Sequence, residues 1–328
     1  MSWKRKLEGN CGRLGMRCKL EEICSFRTGK TDVANLTTET YISTENMIPN
    51  KSGITNATSL PIVDLTQAYE NGDVLVSNIR PYFKKIWKAK INGGCSNDVL
   101  VFTTKENTDS DFLYYVLADD AFFAYAMATS KGTKMPRGDK KSIMQYEVPC
   151  YDIETQQKIA SILKSIDKKI ELNNAINNNL LEQASTLFNS AIQKSTSVVY
   201  AELGSLAEVK GGKRLPKGIN LVTTPNQHPY IRVRDLNNTV FASLSNDYEY
   251  VDDETQQSIS RYIVSTGDLL ISIVGTIGLT AIVDHTLNKA NLTENCVKLI
   301  NIKNVTPEYL LLFLRSSQGV EEPVKFFL

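Results

Sequence analysis

The sequence predicts a mixed α/β protein, two related domains in tandem joined by a long coiled-coil helix. Three observations lead there. The chain has 328 residues, more than one hydrophobic core comfortably supports. A weak repeat runs through most of it. Between the copies lies a stretch without proline or glycine whose apolar residues recur at heptad spacing. With 42% hydrophobic and 22% charged residues, the composition excludes global disorder.

The repeat rests on landmarks in constant order. Gly29-Lys30 matches Gly212-Lys213 (212 − 29 = 183), and Tyr41-Ile42 matches Tyr230-Ile231 (230 − 41 = 189). Gly72-Asp73-Val74-Leu75-Val76-Ser77 matches Gly267-Asp268-Leu269-Leu270-Ile271-Ser272 (267 − 72 = 195), and Asn97 matches Asn295 (295 − 97 = 198). The Gly-Asp match is the strongest, because a tight turn feeding an apolar run is what a buried strand requires. Strands are expected near Val74–Val76 and Ile231–Val233, and helices around Asp111–Ala128 and Pro307–Arg315. Thr306 and Pro307 suit the N-cap and first turn of the last helix.

From Ile159 the apolar positions step alternately by four and three: Ile159, Leu163, Ile166, Ile170, Asn173, Asn177, Leu180, Ala184, Leu187, Ala191. That is an a/d seam with two asparagines in its middle. With Asp152 as N-cap, a helix from about Glu154 to Gln193 would run ~60 Å at ~1.5 Å per residue. Its stripe needs a cover, either one domain's surface or a second helix. The expected division is residues 1–150 for the first domain, 151–195 for the spacer helix and 196–328 for the second, incomplete domain.

Net charge is only +1, so a nucleic-acid site would have to come from local clusters of cations. The six cysteines form no CxxC pair and only His228 and His285 are present, which predicts free thiols and no metal site. Residues 1–10 have no apolar core and read as no signal peptide. The uncharged run Leu269–Val283 is broken by Gly275 and Gly278 and is too short for a membrane span; it reads as two buried strands around a turn. A cytoplasmic protein is the expectation.

The junction between first domain and helix carries a family likeness. Val148-Pro149 is followed by Glu154-Thr155-Gln156-Gln157-Lys158-Ile159-Ala160-Ser161-Ile162-Leu163, then Asp167, Ile170-Glu171 and Leu187-Phe188. Each copy opens alike, Leu20-Glu21-Glu22-Ile23 before Gly29-Lys30 and Leu203-Gly204-Ser205-Leu206 before Gly211-Gly212-Lys213. Over nearly its whole length the chain resembles the specificity subunit of type I restriction-modification enzymes. The resemblance implies two target-recognition domains that each read half of a split site in double-stranded DNA, held apart by the helix. It also implies modification (methyltransferase) subunits and ATP-dependent restriction subunits as catalytic partners, and no catalysis or cofactor in this chain. The family has a second helix after the second domain. The sequence ends at Leu328 without one, so a truncated product or self-association through the central helix is expected.

Candidate DNA contacts are the basic clusters. Arg80, Lys84, Lys85, Lys88 and Lys90 surround Tyr82, Phe83 and Trp87; Lys131, Lys134, Arg137, Lys140 and Lys141 form a second group; Lys210, Lys213, Arg214 and Lys217 flank Gly211, Gly212 and Gly218. Cations and bare glycine amides suit phosphate contact. The helix interface is expected at Ile159, Leu163, Ile166, Ile170, Asn173, Asn177, Leu180 and Leu187. Methyl transfer would need a cofactor-binding glycine loop and an Asn/Asp-Pro-Pro-aromatic tetrad, and neither occurs. Thr28-Gly29-Lys30-Thr31 lacks the upstream glycine of a nucleotide loop, where Cys24 stands. The pairs Asp119-Asp120 and Asp252-Asp253 read as surface. A coiled-coil scaffold without DNA recognition, and a specificity half of a fused enzyme, stay open as alternatives.

Overall fold

The computed structural model describes residues 17–132, 134–195, 201–236, 239–245 and 247–321, with residues 320 and 321 by backbone only. Two compact units divide the chain, Met1–Leu172 and Asn173–Leu328.

In the first unit, β1 (Arg17–Lys19) runs into a single turn, α1 (Leu20–Ile23). Eight strands follow: β2 (Cys24–Phe26), β3 (Lys30–Asp32), β4 (Tyr41–Ile42), β5 (Leu65–Tyr69), β6 (Val74–Ser77), β7 (Ile86–Lys88), β8 (Gly93–Cys95) and β9 (Val99–Thr104). Helices α2 (Ser110–Ala118), α3 (Asp120–Ala128) and α4 (Lys140–Met144) lead to β10 (Glu147–Pro149), which pairs antiparallel with β1. Two sheets form, ordered β2-β9-β6-β7 and β3-β5-β8-β4. Strand β6 is buried on both faces. Val74 and Val76 join Leu113, Leu117 and Phe122 in one core, and Leu75 joins Ile42, Tyr69 and Cys95 in the other. Such two-sided burial explains an unbroken apolar run where a half-exposed strand would alternate.

The second unit repeats the plan. The one-turn helix Leu203–Leu206 precedes β11 (Glu208–Gly211), as α1 precedes β2. Next come β12 (Pro229–Ile231), β13 (Phe241–Ala242), β14 (Glu249–Tyr250), β15 (Leu269–Ser272), β16 (Thr280–Val283), β17 (Asn291–Leu292) and β18 (Cys296–Ile300). Sheet order β11-β18-β15-β16-β13 contains the β2-β9-β6-β7 order of the first unit, and β12 lies parallel to β17 as β4 does to β8. Strand β15 is also sandwiched: Leu269 and Ile271 pack with Leu310 and Leu311, while Leu270 packs with Ile231, Leu292 and Cys296.

The Gly-Asp turns agree atom for atom. Gly72 and Gly267 sit at φ 93° and 90°, a region glycine occupies without penalty. The Asp73 carboxylate accepts from the Glu70 amide and the Asp268 carboxylate from the Ser265 amide, both at 2.8 Å. The glycine amides donate to Ala89 O (2.9 Å) and Val283 O (2.8 Å). The expected pair of buried strands around the Gly275–Gly278 turn is present as β15 and β16.

Two expectations are corrected. The helix expected over Asp111–Ala128 is two helices. Asp119 is extended (φ −63°, ψ 138°), and its carboxylate caps α3 by accepting from the Ala121 amide. The strand expected over Ile231–Val233 ends at Ile231, because the Asp235 carboxylate accepts from the Arg232 amide at 2.7 Å and bends the chain into a 3-10 turn, Val233–Leu236. Helix Pro307–Arg315 has the expected start, with the Thr306 hydroxyl accepting from the Tyr309 amide.

The long helix spans Ile153–Lys194, 42 residues, or ~63 Å at ~1.5 Å per residue. Asp152 caps it, accepting from the Thr155 amide at 2.7 Å. Buried Gln156 anchors its first turn: it accepts from the Asp109 amide (2.9 Å) and donates to Tyr151 O (2.8 Å) and Asn107 O (3.3 Å). Tyr115 Oη donates to Asp167 at 2.7 Å. Near the other end Phe188 meets the Tyr309 ring edge-on, 5.2 Å between centroids. Of the seam, Ile159, Leu163 and Ala184 are half-buried; Ile166, Ile170, Asn173, Asn177, Leu180, Leu187 and Ala191 are exposed.

Among the described residues five cysteines are free, Cys18, Cys24, Cys95, Cys150 and Cys296; Cys11 lies outside them. None of the described helices is long and apolar enough to cross a membrane.

Candidate nucleic-acid interface

In the first unit the chain gathers two of the predicted basic clusters. The segment after β6 leaves with Arg80 and Lys84 in left-handed backbone (both φ 50°), which turns Tyr82 and Phe83 outward at 49% and 36% exposure. Their rings stack at a tilt, 4.6 Å apart. Two loops brace this one. The Asn50 and Lys51 amides donate to Phe83 O and Lys84 O, both at 2.9 Å, and the Arg80 amide donates to Pro136 O at 2.8 Å. A hairpin closed between Lys131 and Arg137 (2.9 and 3.0 Å) carries exposed Lys134 and Met135. Residues 47–54, 78–85, 129–132 and 134–139 thus form one surface.

Four of the predicted cations there, Lys84, Lys88, Lys131 and Arg137, have a carboxylate partner. Lys84 and Lys51 share Asp120 at 2.9 and 2.7 Å, and together they hold its carboxyl below the usual carboxylate range. Arg137 pairs with Asp98 at 3.0 Å. Lys131 pairs with Asp139 at 2.6 Å, and that lysine, helped by the Ser142 amide, depresses the Asp139 pKa. Lys88 bonds Asp111, which also takes Lys164 of the long helix at 2.8 Å. Lys88 therefore ties α2 to β7 and lies apart from the loop tips. Lys85 donates to Thr44 O at 2.6 Å, and burial lowers its pKa. Lys140 lies 5.8 Å over the Phe26 ring. Among the described residues Lys134 has no carboxylate partner. A cation shared between a carboxylate and water keeps its reach for phosphate but adds little net field.

In the second unit Lys213 lies 5.6 Å over the Tyr262 ring, and Arg214 pairs with Glu294 at 2.7 Å. Lys210 pairs with Glu208 at 3.3 Å. The Gly212 amide donates to Cys296 O at 3.0 Å, so it is spent inside the fold and faces no phosphate. That residue must be glycine because a Cβ would stand 1.9 Å from Thr293 O.

Sequence reasoning missed the second unit's counterpart of the Tyr82 loop. The segment between β15 and β16 exposes Val274 (51%) and Ile277 (59%) around Gly275 and Gly278. The signal was present in the repeat: this loop follows the second Gly-Asp strand as the Tyr82 loop follows the first. Lysine counting overlooks it because it holds no charge.

Buried charge of another kind lies beside β12. Arg232 bonds Glu249, and Arg234 approaches Asp235 at 3.5 Å. Burial raises the Asp235 carboxyl to about 6 against the opposing pull of Arg234. Burial also pushes the thiols of Cys24, Cys95 and Cys296 up to about 12, so they stay protonated at neutral pH and are poor nucleophiles. Asp252 caps the helix Asp253–Ser258, and Asp253 meets His228 at 3.0 Å, which gives both acidic pairs of the sequence structural tasks.

The type I restriction modification DNA specificity domain, as a family model, matches residues 16–182 and again residues 197–321. The type I restriction enzyme HindI specificity subunit of Haemophilus influenzae is 28% identical over 193 residues, 52% of this chain and 42% of that protein. The EcoDI specificity subunit of Escherichia coli is 24% identical over 127 residues, 39% of this chain and 28% of that one. The matches thus span less than half the length of either curated relative. A crystal structure of a type I restriction-modification S subunit from M. genitalium has the same fold. It aligns with 98% of this chain and 82% of its own at TM-score 0.51 and 16% identity.

Proposed function

The chain belongs to the family of type I restriction-modification DNA specificity domains, and on that premise we propose that it reads DNA sequence and leaves catalysis to partners. Each unit approaches the major groove, where donor and acceptor patterns distinguish all four base pairs. Together they read a bipartite target in double-stranded DNA. The observation that carries this reading is the repetition of one strand-turn-loop device. A sandwiched strand behind a Gly-Asp turn delivers an exposed loop, Tyr82-Phe83 in one unit and Val274-Ile277 in the other.

Arg80, Lys84, Lys85, Lys131, Lys134, Arg137 and Lys140 in the first unit, with Lys213 and Arg214 in the second, are the proposed backbone contacts. Lys88, held between α2 and β7, supports the loop from behind. The long helix sets the number of unread base pairs between the half-sites. Modification subunits using S-adenosylmethionine and ATP-dependent restriction subunits supply methylation and cleavage, in the cytoplasm. Nothing in this role asks the chain for a cofactor.

Selection from a pool of random duplexes tests the reading. The full chain, alone and with the methyltransferase subunit of its own system, should enrich two short sequences at constant separation. Enrichment of neither, in both arms, would leave a scaffold role and overturn the proposal.

A further inference from the structure

The loop that joins β15 to β16 has the same cast as the one that joins β6 to β7. In each, the serine that ends the first strand donates its amide to the first carbonyl past the loop: Ser77 to Lys85 O at 3.0 Å, and Ser272 to Leu279 O at 2.9 Å. The third residue after each serine is left-handed, Arg80 at φ 50° and Gly275 at φ 79°. So is the last loop residue, Lys84 at φ 50° and Gly278 at φ 87°. The residue after each serine is pinned alike, the Asn78 amide on Asp98 O and the Ile273 amide on Asn295 O, both at 2.8 Å. The two loops are equivalent tips that carry different side chains.

Those side chains decide what each tip can read. Between Ile273 and Leu279 stand Val274, Gly275, Thr276, Ile277 and Gly278. This tip has no charge and no side-chain amide, and the Thr276 hydroxyl is its one polar side-chain group. Val274 is 51% and Ile277 59% exposed. A Cβ added at Gly275 or Gly278 would meet nothing within 4 Å, so the described residues leave the tip uncovered. At its root Asn295 follows Glu294, which holds Arg214 at 2.7 Å with the arginine side chain 81% exposed. A cation with reach for phosphate thus stands beside an apolar tip. On the major-groove edges of the bases, donors and acceptors ask for polar side chains, and the C5-methyl of thymine is the one apolar group on offer.

We propose that Val274 and Ile277 read a thymine in the half-site of the second unit by packing against its C5-methyl. The proposal rests on the reading of the chain as a DNA specificity subunit and adds the chemical group that is recognised. Arg214 holds the neighbouring phosphate backbone. The first unit's tip is not restricted in this way, because Arg80 and Lys84 bring hydrogen-bond donors to Tyr82 and Phe83.

The full chain, with the methyltransferase subunit of its own system, first selects from a pool of unmethylated random duplexes. Each thymine of the selected half-sites is then replaced by uracil, which pairs alike and lacks only the methyl. At one thymine of one half-site, uracil should weaken binding about fourfold, the worth of one methyl-sized group leaving apolar contact. The variant Val274→Ala/Ile277→Ala alters only exposed side chains; it should bind the thymine and uracil duplexes equally and leave selection at the other half-site unchanged. Uracil bound as well as thymine at every position, no thymine in the half-site that the variant affects, or a variant that still favours thymine would each overturn the proposal. Enrichment of no sequence at all would bring down the DNA reading itself, and this proposal with it.

Discussion

Substituting Gln156→Ala tests how the first unit holds the long helix. The side chain is 3% exposed and makes three hydrogen bonds, to the Asp109 amide, Tyr151 O and Asn107 O. Alanine leaves the buried Asp109 amide without its acceptor, at about 1–2 kcal/mol, and weakens two carbonyls by smaller amounts. It also removes about one methylene of buried stem, near 0.8 kcal/mol. The sum is about 3 kcal/mol, or roughly a hundredfold in the folding equilibrium. Urea titration should show that loss, and hydrogen exchange should show the Asp109 amide deprotected. Gln156→Glu keeps the acceptor but sets a buried carboxylate against the Tyr151 and Asn107 carbonyls, so its loss should be at least as large while its Asp109 amide stays protected. A loss below about 1 kcal/mol for Gln156→Ala would refute the anchoring role.

Three further outcomes follow from the same geometry. Gly72→Ala and Gly267→Ala should each cost about 1–2 kcal/mol by thermal or urea unfolding, because both need positive φ and neither added Cβ meets a close neighbour; unequal losses would argue against equivalent turns. Asp235 has a folded-state pKa raised by burial to about 6, so the native unit binds the extra proton. Stability should therefore be highest below about pH 4 with respect to this group and fall by roughly 3 kcal/mol as pH rises through about 6, a slope that Asp235→Asn should flatten. Charge reversal of Lys131, Lys134 and Lys140 together should weaken DNA binding and reduce the salt slope by about 0.9 per lost phosphate contact; an unchanged slope would clear that loop of the role.

Features set by neighbouring residues were legible in the sequence. The Gly-Asp turns, the Thr306-Pro307 helix start and the Asp152 cap are local chemistry, and each stands in the structure as read. The long helix is one residue longer at each end than its pattern suggested. Asp119 shows the limit. Its flanks are helical and mostly apolar, and its carboxylate, accepting from the Ala121 amide, marks the break between the two helices. Charges were the least legible. Lys84 and Asp120 are 36 residues apart and Arg214 and Glu294 are 80 apart, so which cations meet a carboxylate depends on tertiary packing. The loop at Val274 was missed for the opposite reason, being apolar where charge was sought.

Helix length offers the most direct test of the central claim, that two like modules read bases across a gap fixed by a rod. Inserting four residues after Asn179 adds ~6 Å, close to the rise of about two base pairs, and ~40° of right-handed turn, close to the rotation of about one. Duplexes selected by this variant should keep both half-site sequences and separate them by about two further base pairs. An unchanged gap, or altered half-sites at the old spacing, would contradict it.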